Sequence, residues 1–176
     1  IDLRFTKNSS RCSFRYSFAF PCNFTLSRKM SSQQRVETHK ENAQIYTDPS
    51  LCKVKSKELL EKINLPRGLL PLDDVVEVGY NESTGFVWLK QKKQKQHRFS
   101  AISRNVSYDT NITAFIEDRR MKRLTSFKSK ELFIWVTISE ISIQDPSSQK
   151  ITFATPTGIS RSFPVSSFYS VVDDQI

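Results

Sequence analysis

The chain has 176 residues, which is enough for one domain with a hydrophobic core and too few for two domains of ordinary size. Apolar residues make up 38% and charged residues 26%, with only 4 Gly and 7 Pro, so collagen-like, low-complexity and wholly disordered chains are excluded. The longest apolar run, residues 132–136, is the length of a strand and far shorter than the roughly 18 residues of a membrane helix. The composition therefore predicts a single globular domain with no transmembrane segment.

Basic residues exceed acidic ones, with 27 Lys and Arg against 18 Asp and Glu and a formal charge of +9. An excess of this size suggests a polyanionic partner such as nucleic acid or an anionic membrane surface. Residues 1–29 contribute +5 of this charge, from six basic groups and one acid, and the remainder carries only +4. A charge of +4 is ordinary for a small domain.

Residues 1–29 differ from the rest of the chain in composition and in the pattern of their apolar residues. They begin with Ile1 and hold five of the 13 Phe residues in no regular period. Three interpretations are open, namely a transit-type targeting peptide, a secretory signal, or upstream sequence translated ahead of a start at Met30. We expect this segment to be disordered and to lie outside the folded domain.

The number and spacing of the cysteines and histidines indicate whether the chain could bind a metal ion and whether it resides in a reducing compartment. Cys12, Cys22 and Cys52 make an odd count with no C-x-x-C pair, and the chain has only two His. This pattern argues against a disulfide framework and against a zinc site. We therefore expect no bound metal, no cofactor, and a reducing compartment, which is the cytoplasm or, if residues 1–29 are a transit peptide, the plastid.

One helix is predicted near the start of the domain. Residues 30–48 form a polar extension with loosely helical spacing of its few apolar side chains. Asp48 is a preferred N-cap residue and Pro49 is favoured at the first helical position, and an apolar stripe follows as far as Ile63. The sequence therefore predicts a helix over residues 49–63.

From Pro66 onward, short apolar runs rich in Val, Ile, Phe and Thr alternate with turn residues, which is an all-β pattern. Residues 132–136 are continuously apolar, so we expect a strand covered on both faces, and such a strand requires a second layer. We predict a mainly β fold, an antiparallel β-sandwich or barrel-like single domain with an N-terminal helix over residues 49–169, and a frayed tail over 170–176. The predicted strands are 75–80, 86–92, 96–102, 106–109, 113–117, 120–124, 132–143, 151–154 and 162–165.

Several of these segments carry a family resemblance. The blocks are NLPRGLLPL at 64–72, EVGY at 77–80, TGFVWLK at 84–90, VSYDT at 106–110, KSKEL at 128–132 and TGISRSFPV at 157–165. In this order they resemble the plant family called domain of unknown function 538, over residues 59–168. The resemblance implies a β-rich single domain. It also favours Met30 as the start, because one group of members begins close to the domain without a signal peptide.

The resemblance implies more about ligands than about chemistry. The family has been proposed to be akin to lipid-binding bactericidal/permeability-increasing-like proteins and to bind or hydrolyse chlorophyll. It supplies no set of catalytic residues. Members commonly have Gly where Ser126 stands here, which puts a tight turn at that position in question.

The densest basic run, residues 90–98, is the first candidate site. If it were one unbroken strand, alternate side chains would project to opposite faces and form a comb for the head group of an anionic ligand. The alternative is that these residues keep an edge strand soluble. The candidates are Lys90, Lys92, Lys93, Lys95, His97 and Arg98.

A second basic cluster comprises Arg119, Arg120, Lys122 and Arg123. If the two clusters met, they would suit an anionic membrane surface or an acidic protein. Neither contains the interleaved aromatic residues that stack on bases, which argues against nucleic acid as a partner.

Aromatic residues in the predicted strands either fill the core or line an apolar pocket for a lipid or tetrapyrrole. They are Trp88, Trp135, Phe86, Phe133, Phe153 and Phe163. Catalysis has weaker support, because no G-x-S-x-G motif occurs. Only His97 with Ser100 or Ser103 could form a nucleophile and base pair, and a solvated surface histidine is the simpler interpretation.

The leading hypothesis is a non-catalytic binding module for an amphipathic anionic small ligand, a lipid or a chlorophyll-type pigment. Trp88 and Trp135 would surround its apolar body, and the basic run at 90–98 would lie near its head. Two alternatives are an ester hydrolase that acts on chlorophyll-like esters and a protein-interaction or regulatory domain with an acidic partner.

Overall fold

The computed structural model describes residues 30–169, and in this part of the chain the fold consists of two helices and two antiparallel sheets. The helices are α1 (Ser32–His39) and α2 (Pro49–Lys62). The strands are β1 (Gln44–Tyr46), β2 (Val75–Asn81), β3 (Phe86–Gln91), β4 (Lys95–Phe99), β5 (Arg104–Tyr108), β6 (Asn111–Glu117), β7 (Arg120–Lys122), β8 (Phe127–Glu131), β9 (Ile134–Thr137), β10 (Glu140–Ser142), β11 (Lys150–Ala154) and β12 (Ser160–Pro164).

The larger sheet has the strand order β1-β2-β3-β6-β7-β10-β11-β12, and the smaller sheet has the order β4-β5-β8-β9. Side chains of both sheets, such as Ile112 and Phe153 from the larger and Val106 and Phe127 from the smaller, belong to one buried core. The prediction of a mainly β fold with an N-terminal helix is therefore confirmed. Within residues 30–169 the two sheets do not close into a barrel, so the sandwich alternative describes them better.

Helix α2 begins as its sequence predicts. The side chain of Asp48 accepts a hydrogen bond of 2.9 Å from the backbone N–H of Leu51, and Pro49 occupies the first turn. Cys52 and Leu60 are buried in the core that the helix shares with β2. Cys52 is fully buried, and this burial raises the pKa of its thiol.

Helix α1 covers the opposite, outer face of the larger sheet. A reciprocal capping box joins Ser31 and Gln34 at its start. At its end His39 stacks on Phe86 with 4.3 Å between ring centroids, and Val36 is buried in the same cluster. Residues 30–48 thus contribute a helix and a strand to the domain, because β1 also pairs with β2.

Trp88 occupies the outer face beside this helix. Its ring lies across Gly79 on the neighbouring strand, where an added Cβ would stand only 2.0 Å from the Cζ2 atom of Trp88. The indole N–H donates a hydrogen bond of 2.7 Å to Glu77. A glycine at position 79 is therefore required by the close approach of the ring.

The predicted single strand at 132–143 is wrong. Leu132 and Phe133 form the turn between β8 and β9, and the chain leaves the smaller sheet at Ile138 to enter β10 in the larger one. Leu132 has φ 52°, which reverses the chain in the middle of the apolar run. The run resembles a buried strand only because hydrophobicity alone does not report a change of direction.

The basic run is likewise not one strand. β3 ends at Gln91, residues 92–94 link the two sheets, and β4 begins at Lys95 in the smaller sheet. The two-faced comb expected from an unbroken register is therefore absent from this region. Ser126, where a tight turn was in question, has φ 63° and lies at a bend of the chain. The predictions for residues 1–29 and 170–176 lie outside the described residues.

Candidate ligand-binding cavity

A cavity of about 170 Å³ lies between the inner faces of the two sheets. Strands β4, β5, β8 and β9 line it on one side and β11 and β12 on the other, and the short 3-10 helix Val165–Phe168 adds one wall. The apolar lining includes Phe99, Val106, Phe127, Phe153, Phe163 and Phe168.

Phenylalanine rings form a continuous wall around this cavity. Phe153 lies at its centre, with ring centroids 5.3 Å from Phe168, 5.9 Å from Phe163 and 6.3 Å from Phe127. Phe99 extends the wall, 5.0 Å from Phe168. These are ordinary distances for packed aromatic rings, so the wall is held by its own contacts.

Three charged residues interrupt the apolar lining. The carboxylate of Glu131 lies 3.1 Å from a terminal nitrogen of Arg104 and 3.5 Å from a terminal nitrogen of Arg161. The side chains of Arg104 and Glu131 are 23% and 21% exposed, whereas that of Arg161 is 58% exposed. Arg161 thus lies nearest to solvent, and the other two are partly withdrawn from it.

The trio of Arg104, Glu131 and Arg161 has an excess of positive charge and one unsatisfied hydrogen-bond donor. Two guanidinium groups face one carboxylate, so the cavity lining carries one net positive charge. The Nε of Arg104 is buried and has no hydrogen-bond partner. A buried donor without an acceptor costs about 1–3 kcal/mol, more when it is charged. An anion that entered the cavity would supply both the missing charge and the missing acceptor.

Strand alternation explains how charged residues come to lie among phenylalanines. On β5, Arg104 shares its face with buried Val106, and on β8, Glu131 shares its face with buried Phe127. On β12, Arg161 shares its face with Phe163. Sequence reasoning missed these residues, although a charged side chain at an inward position of an alternating strand was the available signal.

The sequence-predicted basic residues lie elsewhere. None of the six candidates in residues 90–98 lines the cavity. Lys90 pairs with Glu77 at 2.8 Å on the larger sheet, and Lys95 pairs with Asp73. Lys92 and Lys93 are exposed in the link, and Arg98 is exposed on edge strand β4.

The two predicted tryptophans also lie outside the cavity. Trp88 is 1% exposed in the cluster beside α1, on the opposite face of the larger sheet. Trp135 is 39% exposed and sits on the outer face of the hairpin formed by β8 and β9. Phe153 and Phe163 are the predicted aromatic residues that do line the cavity.

The candidate nucleophile and base pair is not assembled in the described residues. His97 makes a ring contact with Phe99 at 4.7 Å and no hydrogen bond with Ser100 or Ser103. Burial, with a smaller effect from Lys95, lowers the pKa of His97 against an opposing effect of Asp73.

The second basic cluster is already neutralised by neighbours. Arg120 pairs with Glu140 at 2.7 Å, Lys122 pairs with Glu117 at 2.6 Å, and Arg119 pairs with Asp118 at 3.1 Å. Arg123 lies over the ring of Phe115, 5.5 Å from its centroid. These charges contribute less to a positive surface than their number in the sequence suggests.

Residues 30–169 contain no helix that is long and apolar enough to cross a bilayer. The same residues contain no group of three His, Cys, Asp or Glu side chains placed to hold a metal ion.

Comparison with protein families identifies the domain that contains this cavity. Residues 56–169 match the model of a family described as "Protein of unknown function, DUF538". The chain belongs to the DUF538 family. The matched region includes every residue that lines the cavity, so the cavity is a feature of the DUF538 domain. No curated protein and no solved structure matches the chain.

Proposed function

We propose that this DUF538 domain is a non-catalytic binding module for a small amphipathic anion whose apolar part enters the cavity. The observation that carries the proposal is the trio of Arg104, Glu131 and Arg161 at the edge of a phenylalanine-lined cavity. An apolar cavity with a few convergent polar groups is the usual form of a small-molecule site.

The cavity volume narrows the class of ligand. About 170 Å³ is close to the roughly 150 Å³ of an apolar protein cavity that binds benzene, and below the roughly 300–1,000 Å³ of sites for drug-sized molecules. A short acyl chain or a single ring fits this space. A tetrapyrrole would require the sheets to separate further, so we favour an acyl carboxylate over a pigment.

The arginines supply the contact for the anionic head. A guanidinium binds a carboxylate through parallel N–H donors, and such charge-assisted bonds are stronger than neutral ones. Arg161 is the more exposed of the two and can reach a head group at the mouth, while the unbonded Nε of Arg104 lies deeper. Glu131 holds both guanidinium groups in place.

The test is calorimetric titration with straight-chain carboxylates from butanoate to decanoate and with the alcohols of the same lengths. Each CH₂ that enters the cavity should tighten binding about fourfold, from about 0.8 kcal/mol, until the cavity is full. Each carboxylate should bind more tightly than its alcohol. In Arg161→Gln, carboxylate affinity should fall about tenfold and alcohol affinity should hardly change.

Arg98→Gln is the matched control, because Arg98 is also an exposed strand arginine but lies outside the cavity. It should bind carboxylates as the unmodified protein does. Equal binding of carboxylates and alcohols by the unmodified protein would overturn the role of the arginines. A larger loss in Arg98→Gln than in Arg161→Gln would instead place the head group at the basic run.

The two alternative functions stay predictions. Ester hydrolysis requires His97, so retained turnover of an aryl ester by His97→Ala would exclude that role. An acidic protein partner would co-purify in stoichiometric amount and dissociate with salt.

A further inference from the structure

The turn between β8 and β9 exposes four consecutive apolar residues. The exposed fractions are 85% for Leu132, 94% for Phe133, 65% for Ile134 and 39% for Trp135. We call these four residues the hairpin tip. Single exposed apolar residues are common, but a contiguous exposed group of this kind marks a site of interaction.

The turn itself is built from residues that suit an exposed turn poorly. Leu132 has φ 52°, a left-handed conformation in which L side chains are disfavoured and Gly is the usual residue. Two-residue hairpin turns are normally Gly, Asn or Asp. Leu and Phe at these positions therefore give the free domain neither favourable turn geometry nor burial.

Positive charges flank the hairpin tip. Lys128 and Lys130 project from the outer face of β8, and the ammonium of Lys130 lies 5.9 Å from the ring centroid of Trp135. Arg104 and Arg161 lie behind the tip on the inner face. With Glu131 as the one acid of this group, the surroundings of the tip carry a clear positive excess.

The cavity opens beside the hairpin tip. Glu131 directly precedes the tip and lines the cavity, and Val136 directly follows it and lines the cavity as well. Ile159, on the loop between β11 and β12, is 66% exposed and lines the same cavity from the other sheet. Apolar side chains from both sheets thus lie at or beside the open side of the cavity, together with the exposed Thr157, Ser160 and Arg161.

We propose that the hairpin tip inserts into the surface of an anionic lipid bilayer and that the cavity mouth then faces the bilayer. The apolar side chains would enter the acyl boundary, the ring of Trp135 would lie at the level of the head groups, and Lys128 and Lys130 would contact anionic phosphates. The combination of an apolar tip with a cationic surround matches this partner better than it matches an apolar protein groove, which offers no negative charge.

The first measurement is co-sedimentation of the full chain with vesicles of phosphatidylcholine alone and of equal parts phosphatidylcholine and phosphatidylglycerol. We expect binding to the anionic vesicles that weakens with salt, because surface charge attraction is screened. Each of Lys128→Gln and Lys130→Gln should lower the partition coefficient about fivefold. The full chain is used throughout, so the basic residues 1–29 contribute equally to every variant.

Fluorescence reports insertion directly. The chain has two tryptophans, and Trp88 is already buried, so a blue shift on addition of vesicles arises from Trp135. Trp135→Phe should abolish that shift. Quenching of Trp135 by lipids brominated along the acyl chain would confirm that the ring reaches the acyl boundary.

The decisive variant is Leu132→Gly with Phe133→Asn. Gly suits the positive φ at position 132 and Gly-Asn is a favoured two-residue turn, so the variant should fold at least as well as the unmodified protein. Its partition onto anionic vesicles should fall about tenfold or more, because the apolar area that enters the bilayer is removed. Val54→Asn is a matched control, since Val54 is an exposed apolar residue on α2, 50% exposed and away from the tip.

Unchanged vesicle binding by the tip variant would overturn the proposal, because binding would then arise elsewhere in the chain, for example from the basic residues 1–29. Edge strand β9 offers a second occupant, because another copy of this chain could pair with it. If the unmodified protein forms a concentration-dependent dimer, the tip variant does not, and neither binds vesicles, then the partner of the hairpin tip is a second copy of this chain and not a bilayer. Carboxylate titration in solution does not involve vesicles, so failure here and failure of the ligand proposal are separate results.

Discussion

Two hairpins of this domain place aromatic residues in opposite environments, one buried and one exposed. In the hairpin of β2 and β3, Phe86 is 0% exposed and Trp88 is 1% exposed, because α1 lies over that face of the larger sheet. In the hairpin of β8 and β9, Phe133 is 94% exposed. The comparison indicates that an aromatic side chain of a hairpin can stabilise the fold only where a second element covers it.

The largest expected effect is on the covered hairpin. Phe86→Ala should lower the free energy of unfolding by about 4 kcal/mol, because a buried aromatic side chain is lost and a cavity is left among His39, Trp88 and Phe115. Urea denaturation followed by tryptophan fluorescence measures this change. A loss below about 1 kcal/mol, as for a surface site, would show that α1 does not cover this face in solution.

A smaller effect is expected from the polar partner of Trp88. Glu77 accepts a hydrogen bond of 2.7 Å from the indole and pairs with Lys90 at 2.8 Å, with its side chain 21% exposed. Glu77→Gln should lower the free energy of unfolding by about 2 kcal/mol at pH 7, since a hydrogen-bonded charge in a half-buried site is removed. Glu82→Gln is the matched control, because Glu82 pairs with Lys62 on the exposed surface, and its loss should be unmeasurable.

The same carboxylate predicts a dependence on pH. Burial opposes ionisation of Glu77, but the hydrogen bonds from Lys90 and Trp88 outweigh it and hold the pKa below its ordinary value of 4.5. A depressed pKa contributes stability that is present above pH 4.5 and lost as the pH falls through the folded-state value. The difference between the unmodified protein and Glu77→Gln should therefore shrink below that pH. A difference that stays constant down to acid pH would contradict the pairing.

The sequence was sufficient to predict the strands of the covered hairpin, β2 and β3, but not those of the exposed hairpin, β8 and β9. Alternation and the loop between Asn81 and Phe86 located β2 and β3 within a residue, and Asp48 with Pro49 located the start of α2. These are local signals. The apolar run at 132–136 gave the opposite of the true burial, because burial depends on what the rest of the chain places over a strand.

In the candidate site as well, some residues could be predicted from local patterns in the sequence and others could not. Phe153 and Phe163 were expected in strands, where they would fill the core or line a pocket, and they do line the cavity. The trio of Arg104, Glu131 and Arg161 comes from three strands in two sheets, and its members are far apart along the chain. Pairing between distant strands decides which charges meet, and a single sequence does not contain that pairing.

The smallest expected effect on stability completes the comparison of the two hairpins. Phe133→Ala removes the same aromatic ring as Phe86→Ala, yet it should change the free energy of unfolding by less than about 0.5 kcal/mol, because the ring already lies in water. Equal urea midpoints for Phe133→Ala and the unmodified protein would confirm this. A loss as large as that of Phe86→Ala would mean that the tip packs against the chain or a second copy. If stability is unchanged while binding to anionic vesicles falls, the ring contributes to association alone, and the two hairpins divide folding and interaction between them.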